Sequence, residues 1–391
     1  MGWTPLRERI NELPLVIAGP ILRRTEPDSV TVWVALKASR HVTLTIFDKN
    51  HNFLFESTRT TARIGINLHV VAVTANASSN ILKSGENYLY DLHFGNGELL
   101  SSPGILTAAG SLQDITYPQY TLPSFALPPS DLKDLRIIHG SCRKPHGESL
   151  DALAGLDKII KEALEKNSIK RPHQLFLTGD QIYADDVADV LLFILMDAGE
   201  TLLGWSEKLP DVENLEELNP GIRNNLATKT AGLTASIGKL NNLTDIAKSH
   251  LFTFGEYLAM HLFAWSDVLW VEPESFPNFT DINSELWEAK SDKRKAYSCE
   301  VEYIKEFWST LKNVRRALAN IPTYMIFDDH EVTDDWYLNM AWCSRILDKP
   351  LGKRILQNGM LASAICQAWG NTPKQFEKGT NGEELLKAAV A

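Results

Sequence analysis

The sequence predicts an α+β protein in which an N-terminal antiparallel β-sandwich precedes a strand–loop–helix domain that carries a helical insertion. Three observations predict it. Apolar residues alternate with a period of two across 15–106, with no helical spacing between. A proline-rich stretch follows, and after it come three short apolar runs that each end in residue types able to bind metal.

Val30, Val32 and Val34 alternate with Ser29, Thr31 and Trp33, and Val42, Leu44 and Ile46 alternate with Thr43 and Thr45, so both segments read as strands with one face turned inward. Residues 69–74 and 88–94 are further strands, and clusters of Asn, Ser and Gly between them supply turns. Short strands at this spacing suggest a sandwich of the immunoglobulin or fibronectin type over residues 12–116. Pro118, Pro123, Pro128 and Pro129 remove backbone donors and disfavour helix, so 117–133 reads as an extended connection between domains.

The second domain, 134–391, opens with the apolar run 135–138, followed by His139, Gly140, Ser141, Cys142 and Arg143. Leu150, Leu153, Leu156, Ile159, Ile160 and Leu164 then recur at helical spacing, with Ser149 as the expected N-cap. A second run, 175–177, ends in Thr178, Gly179 and Asp180. A third, 321–327, ends in Asp328, Asp329, His330 and Glu331. Between them lies mostly helical sequence at 187–196, 251–271 and 301–318, with an Asn-rich polar stretch at 210–242, which is read as an insertion over about 187–319.

The composition excludes several classes of function. A formal net charge of -10 leaves no Lys and Arg excess for a nucleic-acid backbone. The stretch 251–271 is apolar but contains Glu256, His261 and Asp267, which suits a buried helix of a water-soluble protein and not a membrane span. The N-terminus shows no secretory signal, so the expected compartment is the cytoplasm. Cys142, Cys299, Cys343 and Cys366 are scattered without zinc or redox spacing, and the last three are expected to be small buried hydrophobes.

Ligands of α/β sheets gather beyond the carboxyl ends of the strands, and here three strand ends carry Cys142, Asp180, and Asp329 with His330. Asp328, Asp329, Glu331, Asp334 and Asp335 crowd one loop, either a solvated acidic turn or one whose repulsion a cation compensates, and the agreement of three strand ends favours the cation. Gly179 permits a sharp exit that sets Asp180 at a strand tip. Asp185 and Asp186 are expected only to complement the dipole of the helix that follows them. His139 and His146 are expected to be structural, and Trp336 to pack the acidic loop.

The ordered blocks Gly140-Ser141-Cys142-Arg143, Gly179-Asp180-Gln181-Ile182-Tyr183-Ala184-Asp185, and Asp328-Asp329-His330-Glu331 with Asp334-Asp335-Trp336 resemble the PhoD-like (alkaline phosphatase D-like) metallophosphoesterases. The resemblance spans most of 12–345 and implies a calcineurin-like αββα metallophosphoesterase domain after the sandwich. It implies hydrolysis of phosphate monoesters or diesters at a dinuclear centre, with Cys142 and Tyr183 at the positions of the family's cysteine and tyrosine ligands. Thiolate and phenolate suit ferric iron better than magnesium or calcium alone. By this resemblance Cys142, Asp180 and Tyr183 hold Fe3+, and Asp180 bridges to a harder cation such as Ca2+ that Asp329 also binds. His330 would stabilise or protonate the transferring group, Arg143 would clamp the phosphate, and Glu331 would orient His330 or a water.

The family's late Gly-Asp-x-His or His-x-His motif does not occur, since His330 is the last histidine. The expectation is therefore a metallophosphoesterase domain whose C-terminal part is missing, giving a weakly active or inactive fragment. The alternative is a non-catalytic binding or interaction module that keeps the sandwich and a partial metal site.

Overall fold

A computed structural model describes residues 2–79, 81–166, 170–233, 246–282, 291–334, 336 and 340–389. The architecture is mixed α/β. The strands are β1 (Val16–Glu26), β2 (Ser29–Leu36), β3 (His41–Asp48), β4 (Phe53–Thr60), β5 (Ala62–Gly65), β6 (Leu68–Asn76), β7 (Asn87–His93), β8 (Ser124–Ala126), β9 (Ile137–Gly140), β10 (Gln174–Thr178) and β11 (Thr323–Ile326). The helices are α1 (Leu6–Arg9), α2 (Gly155–Lys166), α3 (Asp189–Leu203), α4 (Phe254–Trp265), α5 (Phe279–Ile282), α6 (Ser291–Ala319), α7 (Met340–Leu347), α8 (Pro350–Ser363), α9 (Trp369–Asn371) and α10 (Asn381–Ala388).

Two antiparallel sheets, ordered β1-β2-β6-β5 and β4-β3-β7-β8, share one apolar core. The alternation in β2 sends Val30, Val32 and Val34 into that core, opposite Ala75, Val73 and Val71 of β6. The other face of β2 is not solvated. Trp33 and Ala35 enter a second core shared with the helical part of the chain, so every residue of β2 is buried. β8 lies inside the proline-rich stretch, where Ser124, Phe125 and Ala126 pair with β7 and extend its sheet.

Polar side chains fasten the sheets to the rest. The Trp33 indole donates to the Ile365 carbonyl at 3.0 Å, and its ring meets Trp265 edge-on at 5.8 Å. Arg23 of β1 donates to the Gln367 carbonyl and to Asn371 Oδ1, and Arg315 of α6 donates to the Gly19 carbonyl at 3.1 Å. Arg171, fully buried, donates to Asn87, to Ser124 and to the Asn320 carbonyl. Burial pushes its pKa down to about 10, and the acceptors around it hold the charge.

β9, β10 and β11 form a parallel sheet with β10 central, so their carboxyl ends share one edge. Leu175, Leu177 and Met325 of this sheet join the second core together with Leu156 and Ile160 of α2. On β11, Asn371 bridges the outward backbone of Met325, accepting from its N–H at 3.1 Å and donating to its carbonyl. Among the described residues β9 pairs with β10 alone.

Local details differ from the sequence expectations. The turn before α2 is capped by Asp151, which accepts from the Leu153 N–H, because a 3-10 turn at Ala152–Ala154 intervenes between Ser149 and the helix. α4 is buried along its whole length and starts with a Thr253–Glu256 capping box. The Glu256 charge inside it is matched by a two-pronged bond from buried Arg223. Cys366 is buried as expected, but Cys299 is exposed on α6 and Cys343 is half-buried. The Asn-rich expectation at 210–242 lies partly outside the described residues, as does Asp335. No described helix is long and apolar enough to cross a membrane.

Arg171→Met would leave the Ser124 and Asn320 carbonyls and the Asn87 amide without their buried donor. We expect a loss of roughly 2–4 kcal/mol in urea unfolding, because stranded buried acceptors each lose about 1–3 kcal/mol.

Candidate metal centre

The parallel register brings the three loops after β9, β10 and β11 to one edge. The first two loops are laced by their backbones: Cys142 N–H donates to the Gly179 carbonyl at 3.3 Å and Arg143 N–H to the Asp180 carbonyl at 2.7 Å. Both Cys142 (φ 57°) and Asp180 (φ 53°) take left-handed backbone conformations, which carry strain for non-glycine residues. Gly179, at φ 110°, is needed twice over, since a Cβ there would lie 2.3 Å from the Asp328 Cβ. The second and third loops therefore meet without a side chain between them.

Glu331 ties the same loops together. Its carboxylate is fully buried and accepts the backbone N–H groups of Asp180 (2.9 Å), Gln181 (2.8 Å) and Asp328 (2.9 Å), with the Gln367 amide at 3.3 Å. Burial raises its pKa to about 7 against these donors, which favour the carboxylate. The sequence expectation placed Glu331 behind His330 or a water; its partners are backbone groups of the Asp180 and Asp328 turns.

Asp180, Asp329 and His330 converge, with one donor atom from each within 4.8 Å of the others. Cys142 Sγ donates to Asp180 Oδ2 at 3.1 Å, and Tyr183 shares a hydrogen bond with Cys142. The Tyr183 ring stacks on His330 at 4.2 Å. Thus Cys142, Asp180, Tyr183, Asp329 and His330, distant in sequence, meet at one place.

The electrostatics of this group fit a cation. The Ser141 hydrogen bond favours the Cys142 thiolate, but Asp180 and burial outweigh it and raise the thiol's pKa. Burial, and then the charges of Asp180 and Cys142, raise that of the Tyr183 phenol. Burial also raises Asp329, with Asp180 adding to the effect against His330. Asp180 Oδ1 is buried with no hydrogen-bond partner. Acceptors that resist sharing negative charge, one of them orphaned, are what a positive ion would satisfy.

Two expectations are corrected. Arg143 does not face the cluster. Its Nε and Nη2 bond Asp151 at 3.0 and 2.7 Å, its Nη1 bonds the Ala264 carbonyl at 2.7 Å, and it lies over Phe307. The laced turn at Cys142 sends the next side chain inward, so Arg143 anchors the loop instead of clamping a phosphate. Asp185 and Asp186, in turn, do not serve the dipole of α3, which starts at Asp189. Asp186 pairs with Lys144 and His146. Asp185 is buried, its oxygens lie 3.0 and 2.9 Å from His330 Nδ1, and it accepts the Asp334 N–H.

Asp185 is thus a positioning residue that the sequence reading missed. Its signal was there: a histidine expected to move protons needs a carboxylate to fix its ring, and the Asp180 loop offered one. Burial alone would lower the His330 pKa, but the bond and charge of Asp185, with Asp180 and Asp334, raise it to about 9. Of the other histidines, His139 bonds Thr178 and His146 bonds Asp186, as structural groups do. Trp336 stacks on Trp342 at 5.4 Å and meets Phe327 edge-on, packing the third loop.

No protein-family model matches the chain, and no curated protein matches it in sequence. Among solved structures it is similar to one described as the structure of PhoD, with a TM-score of 0.39 and 14% identity, covering 88% of this chain and 46% of that one. It is also similar to a glycosyl hydrolase family 2 member from Bacteroides cellulosilyticus, with a TM-score of 0.16 and 14% identity over 42% of this chain and 21% of that one. A β-glucuronidase from glycoside hydrolase family 2 gives a TM-score of 0.15 and 13% identity over 40% and 17%. The chain spans less than half the length of each.

Asp185→Asn should move the His330 titration, followed by NMR on the metal-free protein, down from about 9 toward the ordinary histidine range. The raised pKa means that the pair stabilises the fold fully below about pH 6.5 and loses that contribution as pH rises through about 9. The variant's unfolding midpoint should therefore fall below that of the parent chain more at pH 6 than at pH 10. Glu331→Gln forces an amide N–H against backbone N–H groups in either orientation, and unfolding should register a loss of about 2–4 kcal/mol.

Proposed function

We propose that the chain is a metal-dependent phosphate-ester hydrolase of the PhoD-like type. The observation that supports it most is the convergence of Asp180, Asp329 and His330 beside Cys142 and Tyr183, with Asp180 Oδ1 buried and unpartnered. Carboxylates alone would repel a phosphate ester, whereas the same carboxylates around a cation attract it. In this reading Cys142, Asp180 and Tyr183 would hold one ion, and Asp329, with Asp180, would hold a second. Thiolate and phenolate favour ferric iron in the first place, and a carboxylate oxygen set favours calcium in the second. Such ions supply Lewis-acid polarisation of the phosphoryl oxygens and a lowered pKa for water.

The chain's own groups do the rest. His330 stands beside the acidic cluster with its Nδ1 fixed by Asp185. As water adds to phosphorus and the ester P–O bond breaks, it would pass a proton to the departing oxygen, so that alcohol and phosphate result. Tyr183 fixes the tilt of the imidazole by stacking. Glu331 and the two left-handed residues hold the loops so that these groups remain aligned. Arg143 acts only through its loop.

Purified protein loaded with iron and calcium should retain metal by elemental analysis and hydrolyse p-nitrophenyl phosphate. Cys142→Ser and Asp180→Asn should lose metal and activity together. His330→Gln should keep metal while its kcat falls by about 10²- to 10⁴-fold. Retention of metal without hydrolysis of mono- or diesters overturns the hydrolase reading in favour of a binding module. Failure to retain any metal overturns both.

A further inference from the structure

A cleft of about 220 Å3 opens between the C-terminal half of α3, the segment 205–218 and the start of α4. Its floor is the crossing of the two helices at Gly199 and Gly255, where a Cβ on Gly199 would lie 2.5 Å from the Gly255 carbonyl carbon. Met196, Leu203, Trp205, Leu215 and Leu218 supply its apolar lining, and Trp205 is 44% and Leu215 74% exposed. Its charged lining groups are all carboxylates: no Lys, Arg or His lines it, and Arg7 lines a neighbouring hollow that shares Glu200, Trp205 and Ser206. Two of the carboxylates are compensated, Glu256 by Arg223 and Glu207 by Arg354 and Asn358. Glu200 is met by the Ser206 hydroxyl at 2.8 Å. It also stands in the last turn of α3, which carries no basic residue, at the helix pole where a negative charge is repelled. The segment beyond adds to the same field, since Asp211, Glu213, Glu216 and Glu217 are exposed there against the single Lys208.

We infer that this cleft binds a small organic amine in its protonated form, the ammonium donating to Glu200 and the apolar body lying against Trp205 and Leu215. The inference stands apart from the hydrolase reading. An ammonium offsets a carboxylate placed against its own helix dipole, and the face of an indole attracts the same charge. An anion is repelled by every charged group of the lining. A bare divalent cation needs several oxygen ligands, and the Glu207 and Glu256 oxygens are already taken by Arg354, Arg223 and backbone N–H groups. A neutral apolar molecule would use the walls and leave Glu200 as it is. Apolar walls with one fixed polar group are the usual composition of a small-molecule site.

The test uses benzylamine, an ammonium on one apolar ring, with benzyl alcohol as its neutral counterpart and benzoate as the opposite charge. Titration calorimetry on the full chain should show the amine binding roughly tenfold more tightly than the alcohol, and benzoate not binding. The amine should also raise the thermal unfolding midpoint of the parent chain more than the alcohol does, a readout that needs no variant. Trp205→Ala should weaken the amine roughly three- to tenfold. Glu200→Gln should weaken it roughly two- to fivefold and leave the alcohol unchanged. Leu215→Lys sets a tethered ammonium at the cleft and should abolish amine binding. All three positions are exposed, so the circular dichroism spectra of the variants should match that of the parent chain. Equal binding of amine and alcohol, binding of benzoate as tight as that of the amine, or amine binding unaffected by Trp205→Ala and Glu200→Gln overturns the inference. So does the amine giving neither heat nor a thermal shift. None of these results bears on the metal centre.

Discussion

The structure depends on a sheet buried on both faces. β1-β2-β6-β5 packs its valines against the second antiparallel sheet and turns Trp33, Ala35 and Ile21 into the helices. A face that would meet water in a free sandwich is here the floor of the larger core. Hydrogen bonding would be lost there if only apolar groups met, so the seam is crossed by Trp33, Arg23 and Arg315, each donating to backbone carbonyls on the far side. These donors satisfy helix ends and strand edges that apolar packing would leave stranded. The two halves consequently share one packing unit, and the parallel sheet takes its position from it.

The candidate metal centre uses that rigidity. Three parallel strand ends supply the donor groups, but strand geometry alone does not aim them. Two residues sit in left-handed conformations, and one buried carboxylate, Glu331, collects the backbone N–H groups of two turns. Strain of this kind persists where the surroundings over-determine the backbone. Of the side chains gathered there, Cys142, Tyr183 and Asp329 are held with their charges disfavoured, which is an arrangement poised for a cation.

Much of this was legible in the residues. Period-two alternation marked β2, β3, β6 and β7, and the apolar runs marked β9, β10 and β11, because strand burial is written directly in side-chain order. The grouping of Cys142, Asp180, Asp329 and His330 followed from their places after those runs, and Tyr183 was added to it by the family resemblance. What was hidden depended on where a side chain turns once its loop is closed. Arg143 and Asp185 look interchangeable with surface charges in sequence, yet one is drawn under the sheet by Asp151 and the other up to His330. The second buried face of β2 was hidden too, since Ser29 and Thr31 alternate with valine as they would at a solvated surface, and only Trp33 hinted otherwise.

The two margins of the parallel sheet are not equivalent. On β11 the side-chain amide of Asn371 already occupies the outward peptide groups of Met325, as a neighbouring strand would. β9 carries no such plug among the described residues. The strand edge left without a partner among the described residues is therefore the one on the flank that leads to Cys142.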